Sequence, residues 1–465
     1  MQFTTLIFAL FFVVTLTGTW LLARFRTSQK LFLLIASYCF YAAAAWKLLA
    51  VLLASSLLNY VAGELISRTS VKPQRRAWLY AAVACNLLLL GVFKYYGFFV
   101  DSIAALLEAA GLHPHLPALE ILLPIGISFY TFQGLSYIVD LYRGQGVRAR
   151  SMLDFLLFMA FFPKLLSGPI TRAKELLPQL AGEHPRGVAD LNGAATLLLS
   201  GLFKKVVLAT LIDTHLVLKV FDAPENFSTP ALWAGMFGYA FLLYWDFSGY
   251  TDLARGTSQL MGFSIPENFN HPYIATDIGD FWRRWHITLS NWLRDYLFVP
   301  LGGLHIRRRW SAVVLTMMLA GLWHGAGWTY VIWGTYHGVM LFMHHLFRSG
   351  IKRRWRGGWL GRAGTFLLVS LGWVMFRADD LPAAVEYYKR MFSIGASGSG
   401  FDSLVLVLIL LGIVLQLSGA RLRGWFIRAS EFVPLTLRLV LWFAFGMLIL
   451  ALKPAGIAPY IYFGF

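Results

Sequence analysis

The feature that most constrains this chain is a succession of apolar runs, each about as long as the hydrocarbon core of a bilayer is thick. A membrane-spanning helix needs about 20 apolar residues. Runs of that kind lie near 3–23, 31–46, 48–66, 78–98, 119–141, 191–219, 231–255, 311–327, 329–347, 363–377, 403–419 and 435–452. Several are short, so one or two are expected to be tilted or re-entrant, giving roughly eleven or twelve crossings. The composition agrees: 58% of the 465 residues are hydrophobic and 14% are charged, where soluble domains carry about 25% charged residues. No polar stretch is long enough for a soluble domain. The expected fold is therefore all-α and polytopic, with residues 1–465 forming one membrane domain.

The formal net charge is +17. In a soluble protein that excess would raise nucleic-acid binding. Here the basic residues cluster in short loops between apolar runs, which is the positive-inside pattern. The expected partner is the lipid bilayer, and no nucleic acid is implied. The apolar run Phe3–Ala23 has its positive charges (Arg24, Arg26, Lys30) after it. A cleavable signal peptide has them before, so this run is expected to be a first span with its N-terminus outside. The loops Arg24–Lys30, Arg68–Arg76, Arg143–Arg150, Arg172–Arg186, Arg283–Arg309, Arg348–Arg362 and Arg421–Arg428 then fall inside. Gly111–Pro117 and Asp222–Pro230, without Lys or Arg, fall outside. Arg377–Phe401 is the misfit: it is expected outside yet contains Lys389 and Arg390. Its Leu381–Phe392 part is amphipathic and is expected to lie on the membrane surface. The run Gly395–Gly400 follows no strand and reads as a loop.

Three segments break the rules of a plain spanning helix, where a central charge costs about 2.5–3.5 kcal/mol. The first is Asp280–Leu297. Continued as one helix, it puts Trp282, Trp285, Leu289, Trp292, Leu293 and Tyr296 on one face and Arg283, Arg284, Arg294 and Asp295 on the other, with His286 at the edge. It reads as an interfacial or re-entrant helix. It could anchor in headgroups, or form a basic mouth for an anionic donor such as a coenzyme A thioester.

The second segment holds Gly321–Gly325 (GLWHG) and Gly334–Gly338 (GTYHG). Each is a G-x-x-x-G with a histidine before its second glycine. Close helix packing explains the glycines, but does not require His324 and His337. An imidazole titrates near neutrality and can take a hydroxyl proton and return it. A catalytic His324 and a hydrogen-bonded packing histidine are both open on the pattern. The third segment is Tyr244–Asp252, where Asp246 and Asp252 could pair with arginines or orient a histidine. The two cysteines, Cys39 and Cys85, form no disulfide framework or zinc spacing, and no metal ligand set is expected. A G-x-S-x-G nucleophile elbow is absent from the chain.

The segments FWRRWHITLSNWLRDYL and GLWHGAGWTYVIWGTYHG resemble the membrane-bound O-acyltransferase (MBOAT) family. So do LLPIGISFYTFQGLSYIVDLYRG (Leu122–Gly144), LLSGPITR (Leu165–Arg172), YWDFSGYTDLA (Tyr244–Ala254), PENFNHPYI (Pro266–Ile274) and PYIYFGF (Pro459–Phe465). The likeness runs the length of the chain, and is greatest to the bacterial branch serving alginate O-acetylation. The branch of teichoic acid D-alanylation is more distant. The resemblance implies many tilted helices around a central tunnel. It implies that His324 matches the family's invariant histidine, His286 the second position, and His337 a further histidine of the alginate-type branch. It also implies an acyl donor entering from the cytoplasm, acetyl-CoA being the expected substrate with no bound cofactor. A periplasmic SGNH-type acetyltransferase partner would receive the group for a polysaccharide acceptor. The chain is compact between Phe392 and Leu435, where alginate-type relatives can carry a longer loop. Alginate, cellulose, peptidoglycan and other exopolysaccharides all stay open as acceptor.

The expected function is therefore an O-acyltransferase in a bacterial inner membrane, with His324 and His286 as catalytic residues. His337, Arg283, Arg284, Asp246 and Trp323 are the expected supporting or substrate-binding residues. Two rival readings are a transporter with a histidine proton relay and a non-catalytic scaffold for a periplasmic enzyme.

Overall fold

In a computed structural model, the structure describes residues 3–112, 121–182, 190–305, 308–350, 358–393 and 397–452, with isolated loop positions 116, 119, 187, 188 and 395. The expected aromatic end Pro459–Phe465 and parts of the Gly111–Pro117, Arg348–Arg362 and Gly395–Gly400 loops lie outside the described residues. Among these residues the fold is helical without a strand, and one isolated bridge joins Phe227 to Ser399. The chain divides into two compact units, 1–189 with 258–265, and 190–257 with 266–465.

The first unit holds α1 (Leu6–Leu21), α2 (Arg26–Ala45), α3 (Leu49–Arg68), α4 (Lys72–Leu90), α5 (Tyr96–Ala109), α6 (Ile127–Arg143), α7 (Met152–Ala160), α8 (Phe162–Leu165) and α9 (Ala173–Ala181). Capping fixes the starts of α1 and α7. Thr5 Oγ1 accepts from the Phe8 N–H at 3.2 Å, and Ser151 Oγ from the Asp154 N–H at 3.1 Å. The span expected at 119–141 is shortened: helix begins only at Ile127, after Pro124 and the left-handed Gly126 (φ +78°). Helix α6 is buried on nearly every side and so is not a lipid-facing span. Its buried polar groups find partners. Gln133 Nε2 donates to the Phe158 carbonyl at 2.7 Å, and Lys164 Nζ donates to Gln133 Oε1 at 2.6 Å. Asn59 on α3 and Asn86 on α4 exchange two amide hydrogen bonds of 3.1 and 3.0 Å.

The second unit holds α10 (Leu191–Leu202), α11 (Thr210–Ile212), α12 (Leu218–Asp222), α13 (Thr229–Leu260), α14 (Ile278–Arg284), α15 (Ile287–Leu293), α16 (Arg309–His324), α17 (Trp328–Gly350), α18 (Gly358–Arg377), α19 (Leu381–Phe392), α20 (Ser403–Glu431) and α21 (Leu435–Ala451). The final residues of α13 belong to the first unit. A widened π turn, Phe203–Ala209, continues α10. Helix α19 spans the amphipathic stretch read from sequence, but its apolar face docks on protein. Tyr387 is buried and donates to the Leu232 carbonyl at 2.7 Å, while Trp233 Nε1 donates to the Met391 carbonyl at 2.9 Å.

Among the described residues, five helical segments are long and apolar enough to cross a membrane: Arg26–Arg68, Lys72–Ala109, Leu191–Asp222, Gly358–Arg377 and Ser403–Glu431. Leu6–Leu21 and Leu435–Ala451 are shorter apolar helices. Leucine, valine and phenylalanine side chains stand exposed along α1, α20 and α21, as lipid solvent requires. Expected spans 231–255, 311–327 and 329–347 coincide with α13, α16 and α17. Buried polar groups on these helices, among them Asp246, Thr251, Thr316, His324 and His337, mark them as inward-facing. The protein is an all-α, multi-pass membrane protein.

Candidate functional site

Helices α16 and α17 form a hairpin whose backbones meet at glycines. A Cβ on Gly321 would lie 2.1 Å from the Tyr330 carbonyl oxygen, and one on Gly334 would lie 2.2 Å from that of Met317. On Gly338 it would lie 2.9 Å from Val314 Cα. These glycines serve backbone approach, as the packing explanation required. Gly325 instead faces a ring, with Tyr330 2.1 Å from its would-be Cβ. The hairpin fixes His324 at the last turn of α16 and His337 in the middle of α17, both buried.

Aromatic rings link the two. The Trp333 ring centroid lies 5.2 Å from that of His324 and 4.9 Å from that of His337. Trp323 lies 4.9 Å and Phe376 5.2 Å from His324. Trp282 lies 5.2 Å from His337. Trp373 stacks on Trp333 at 5.5 Å and packs on Trp285 at 5.0 Å. Within this cage several buried polar atoms have no hydrogen-bond partner among the described residues: both ring nitrogens of His337 and the indole nitrogens of Trp282, Trp333 and Trp373. Such orphans are rare in native structures and mark places where a water or ligand completes the set.

The single helix expected over Asp280–Leu297 does not form. It breaks at His286, which has φ +42°, into α14, α15 and a π turn at Arg294–Phe298. A left-handed backbone costs a non-glycine residue about 1–2 kcal/mol, so neighbouring structure must impose it. That structure is the strap 268–270. The Asn268 carbonyl accepts from the Ile287 N–H at 2.9 Å, and the Asn270 N–H donates to the Arg284 carbonyl at 3.0 Å. Asn268 Oδ1 accepts from the Thr288 N–H at 3.1 Å and the Thr288 hydroxyl at 2.9 Å, so this distant asparagine caps α15. The same oxygen lies 3.1 Å from His286 Nδ1. Because Thr288 N–H can only donate, that atom of Asn268 is the oxygen, and Nδ1 of His286 donates to it. The neutral ring then carries its lone pair on Nε2. His286 is fully buried, 4.8 Å from Phe247 and 6.1 Å from Trp323 between ring centroids. Trp285, read from sequence as part of an interfacial face, is also buried.

The residues expected from sequence separate into two groups. His286, Trp323, His324 and His337 form one continuous run of ring contacts, through Trp333. Arg283 and Arg284 stand on α14 just before His286, but both pair with Asp280, at 3.4 and 3.0 Å. Asp246 neighbours Phe247 in sequence, and its carboxylate is paired with Lys205 of the π turn, both side chains being buried. Asp252 pairs with Lys204 at 2.7 Å. The partners are lysines rather than the arginines expected. Sequence reasoning assigned no role to Asn268, Lys205, Trp333 or Trp373. Two adjacent lysines inside the apolar run 191–219 were the available signal. Among the described residues no three His, Cys, Asp or Glu side chains group as a metal site.

Comparison with known proteins bears on this region. The sequence model of the membrane-bound O-acyltransferase family matches residues 146–375, which contain every residue named so far in this subsection except Phe376. The probable alginate O-acetylase AlgI of Pseudomonas putida is 42% identical over 402 residues, covering 85% of this chain and 81% of the relative. The peptidoglycan O-acetyltransferase of Helicobacter pylori is 36% identical over 403 residues, covering 79% and 74%. The teichoic acid D-alanyltransferase of Bacillus subtilis is 32% identical over 280 residues, covering 57% and 71%. With its helical membrane fold and its paired histidine motifs on one hairpin, the chain belongs to the membrane-bound O-acyltransferase family and is an acyltransferase.

Proposed function

We propose that the chain moves an acetyl group from a cytoplasmic thioester, acetyl-CoA, across a bacterial inner membrane for O-acetylation of an extracellular polysaccharide, alginate, through a periplasmic SGNH-type partner. The observation that carries this reading is the unbroken ring contact from His286 through Trp323 to His324 and on to His337, in a chain whose relatives include alginate and peptidoglycan O-acetylating proteins. The three imidazoles occupy one buried, aromatic-walled region, where an acyl thioester is shielded from hydrolysis.

In this reading His324 is the general base. The acceptor's hydroxyl oxygen attacks the thioester carbonyl carbon while His324 takes the hydroxyl proton. The C–S bond breaks, and His324 returns the proton to the leaving sulfur, giving an ester and a free thiol. A brief acyl-imidazole on His324 is the two-step version of the same transfer. His286, held by Asn268, presents Nε2 and polarises or positions the thioester. Arg283, more than half exposed although paired, and Arg284 receive the donor's phosphates. Trp323 walls the path between the histidines, and His337 supports the far side. Asp246 fixes α13 through Lys205.

The test uses purified protein with radiolabelled acetyl-CoA, and cells scored for polymer acetylation. His324→Ala at normal protein level is expected to lower thioester cleavage by about 10²–10⁴-fold and to remove detectable polymer acetylation. Retained acetylation would overturn the role of His324. Solute flux without cleavage would favour a transporter, and neither activity would favour a scaffold.

A further inference from the structure

The second unit contains a cavity of about 410 Å³ whose lining includes none of His286, His324 and His337. Its inner wall is Ser248 of α13 and Asn268 of the strap, and its apolar wall includes Phe203, Leu415, Phe426 and Phe445. Three observations say what it holds.

The first is unmet hydrogen bonding. Asn268 is 1% exposed, and its oxygen is committed to Thr288 and His286. Its Nδ2 has no partner among the described residues, and neither has Ser248 Oγ. Since the oxygen faces Thr288 and His286, the amide N–H groups are turned away from them, toward the cavity that Asn268 lines. Buried donors left unmet are costly, so an occupant with acceptor oxygens is implied. The second observation is charge. The lining carries the cations Lys204, Arg255 and Arg423 and the carboxylates Asp252 and Glu267. Lys204 is matched by Asp252 at 2.7 Å, whereas Arg255 and Arg423 share Glu267, at 3.1 and 3.8 Å. The balance is one surplus positive charge at the Arg255–Arg423 side. The third is the outer rim. Leu422, Trp425 and Phe426 line the cavity and are also exposed, at the basic end of α20, a helix long and apolar enough to cross a membrane. The mouth therefore opens at the headgroup level of the bilayer, where Trp and Arg side chains gather.

We propose that this cavity binds one anionic phospholipid entering laterally from the bilayer. The phosphodiester sits at Arg423 and Arg255, an ester carbonyl accepts from Asn268 Nδ2, and an acyl chain runs along Phe203, Phe426 and Phe445. A water-borne thioester shares the phosphate chemistry but gains nothing from a lipid-facing apolar rim. Because Asn268 also holds the left-handed turn at His286, the lipid braces the strap from its outer side. The test reads lipid binding alone, so its failure is distinguishable from failure of the proposed transfer reaction.

Full-length protein is reconstituted in nanodiscs containing equal phosphatidylglycerol and phosphatidylcholine, then released and analysed by native mass spectrometry. The wild type is expected to retain one phosphatidylglycerol per chain in preference to phosphatidylcholine. Arg423→Gln is expected to lower that retention roughly fivefold, with Arg423→Lys restoring it. Leu415→Trp, which fills the cavity, is expected to remove it. Equal retention of the two lipids by the wild type would overturn the proposal, whatever the variants do. So would phosphatidylglycerol retention unchanged in both Arg423→Gln and Leu415→Trp. Displacement of the bound lipid by millimolar acetyl-CoA would overturn it in favour of a thioester site.

Discussion

Two buried polar regions of the second unit treat the same physical problem in opposite ways. Between α13 and the π turn after α10, charged groups are matched: Lys205 with Asp246, and Lys204 with Asp252. Around His337 they are left unmatched, with both imidazole nitrogens and three indole N–H groups lacking partners among the described residues. A closed ion pair fixes structure whether or not substrate is present. An open set of donors is destabilising in isolation and finds its partners only when something enters. The pairs thus read as scaffold, and the cage as the region where the proposed function would bring polar atoms of a substrate.

Four substitutions probe that contrast. His324→Ala should leave folding intact and lower thioester cleavage by about 10²–10⁴-fold, the range for a positioned acid–base group. The measurement is single-turnover cleavage of acetyl-CoA. Lys205→Met leaves Asp246 buried without its cation and should destabilise the fold by about 3–5 kcal/mol. Loss of monodisperse protein on heating in detergent checks this, and adding Asp246→Leu should recover much of the loss. If Lys205→Met instead left stability unchanged and removed activity alone, the division into scaffold and cage would be wrong. Gly334→Ala drives a methyl against the Met317 carbonyl, 2.2 Å from the Cβ position, and should cost about 1–3 kcal/mol, read from the same heating curve. His337→Phe removes two unmatched polar atoms at similar volume and should change stability by less than about 1.5 kcal/mol. Its activity should nevertheless fall, a split that a purely structural histidine would not show.

The apolar runs made the membrane-spanning, all-helical character legible, because lipid imposes a length and a composition that repeat along the chain. Helix α19 was equally readable, since its 3.6-residue pattern is bounded by Asp380 and Pro382 at one end and Ser393 at the other. The break at His286 was not. Residues 280–297 have a continuous helical pattern, and what interrupts it is Asn268, eighteen residues upstream, reaching across to cap α15. Periodicity reports only on neighbours along the helix. The expected helix start before Ile127 was missed for a local reason, the left-handed turn at Gly126. Within the candidate site, His324 and His337 drew notice because histidine is unusual in apolar sequence, whereas His286 owed its assignment to the family resemblance. Trp333 and Trp373 drew no notice, because an indole in such a chain looks like any other large apolar residue until its N–H is found without a partner.

The glycine seams of the α16–α17 hairpin also bear on motion. Backbone pressed against backbone has no side chain to rotate aside, so His324 and His337 travel as one rigid body. Any opening that admits a substrate must then be supplied by elements that approach the hairpin through side chains, such as α14 with Trp282 or α18 with Trp373 and Phe376. Access to the histidines would accordingly be gated by displacement of these rings and the helices that carry them.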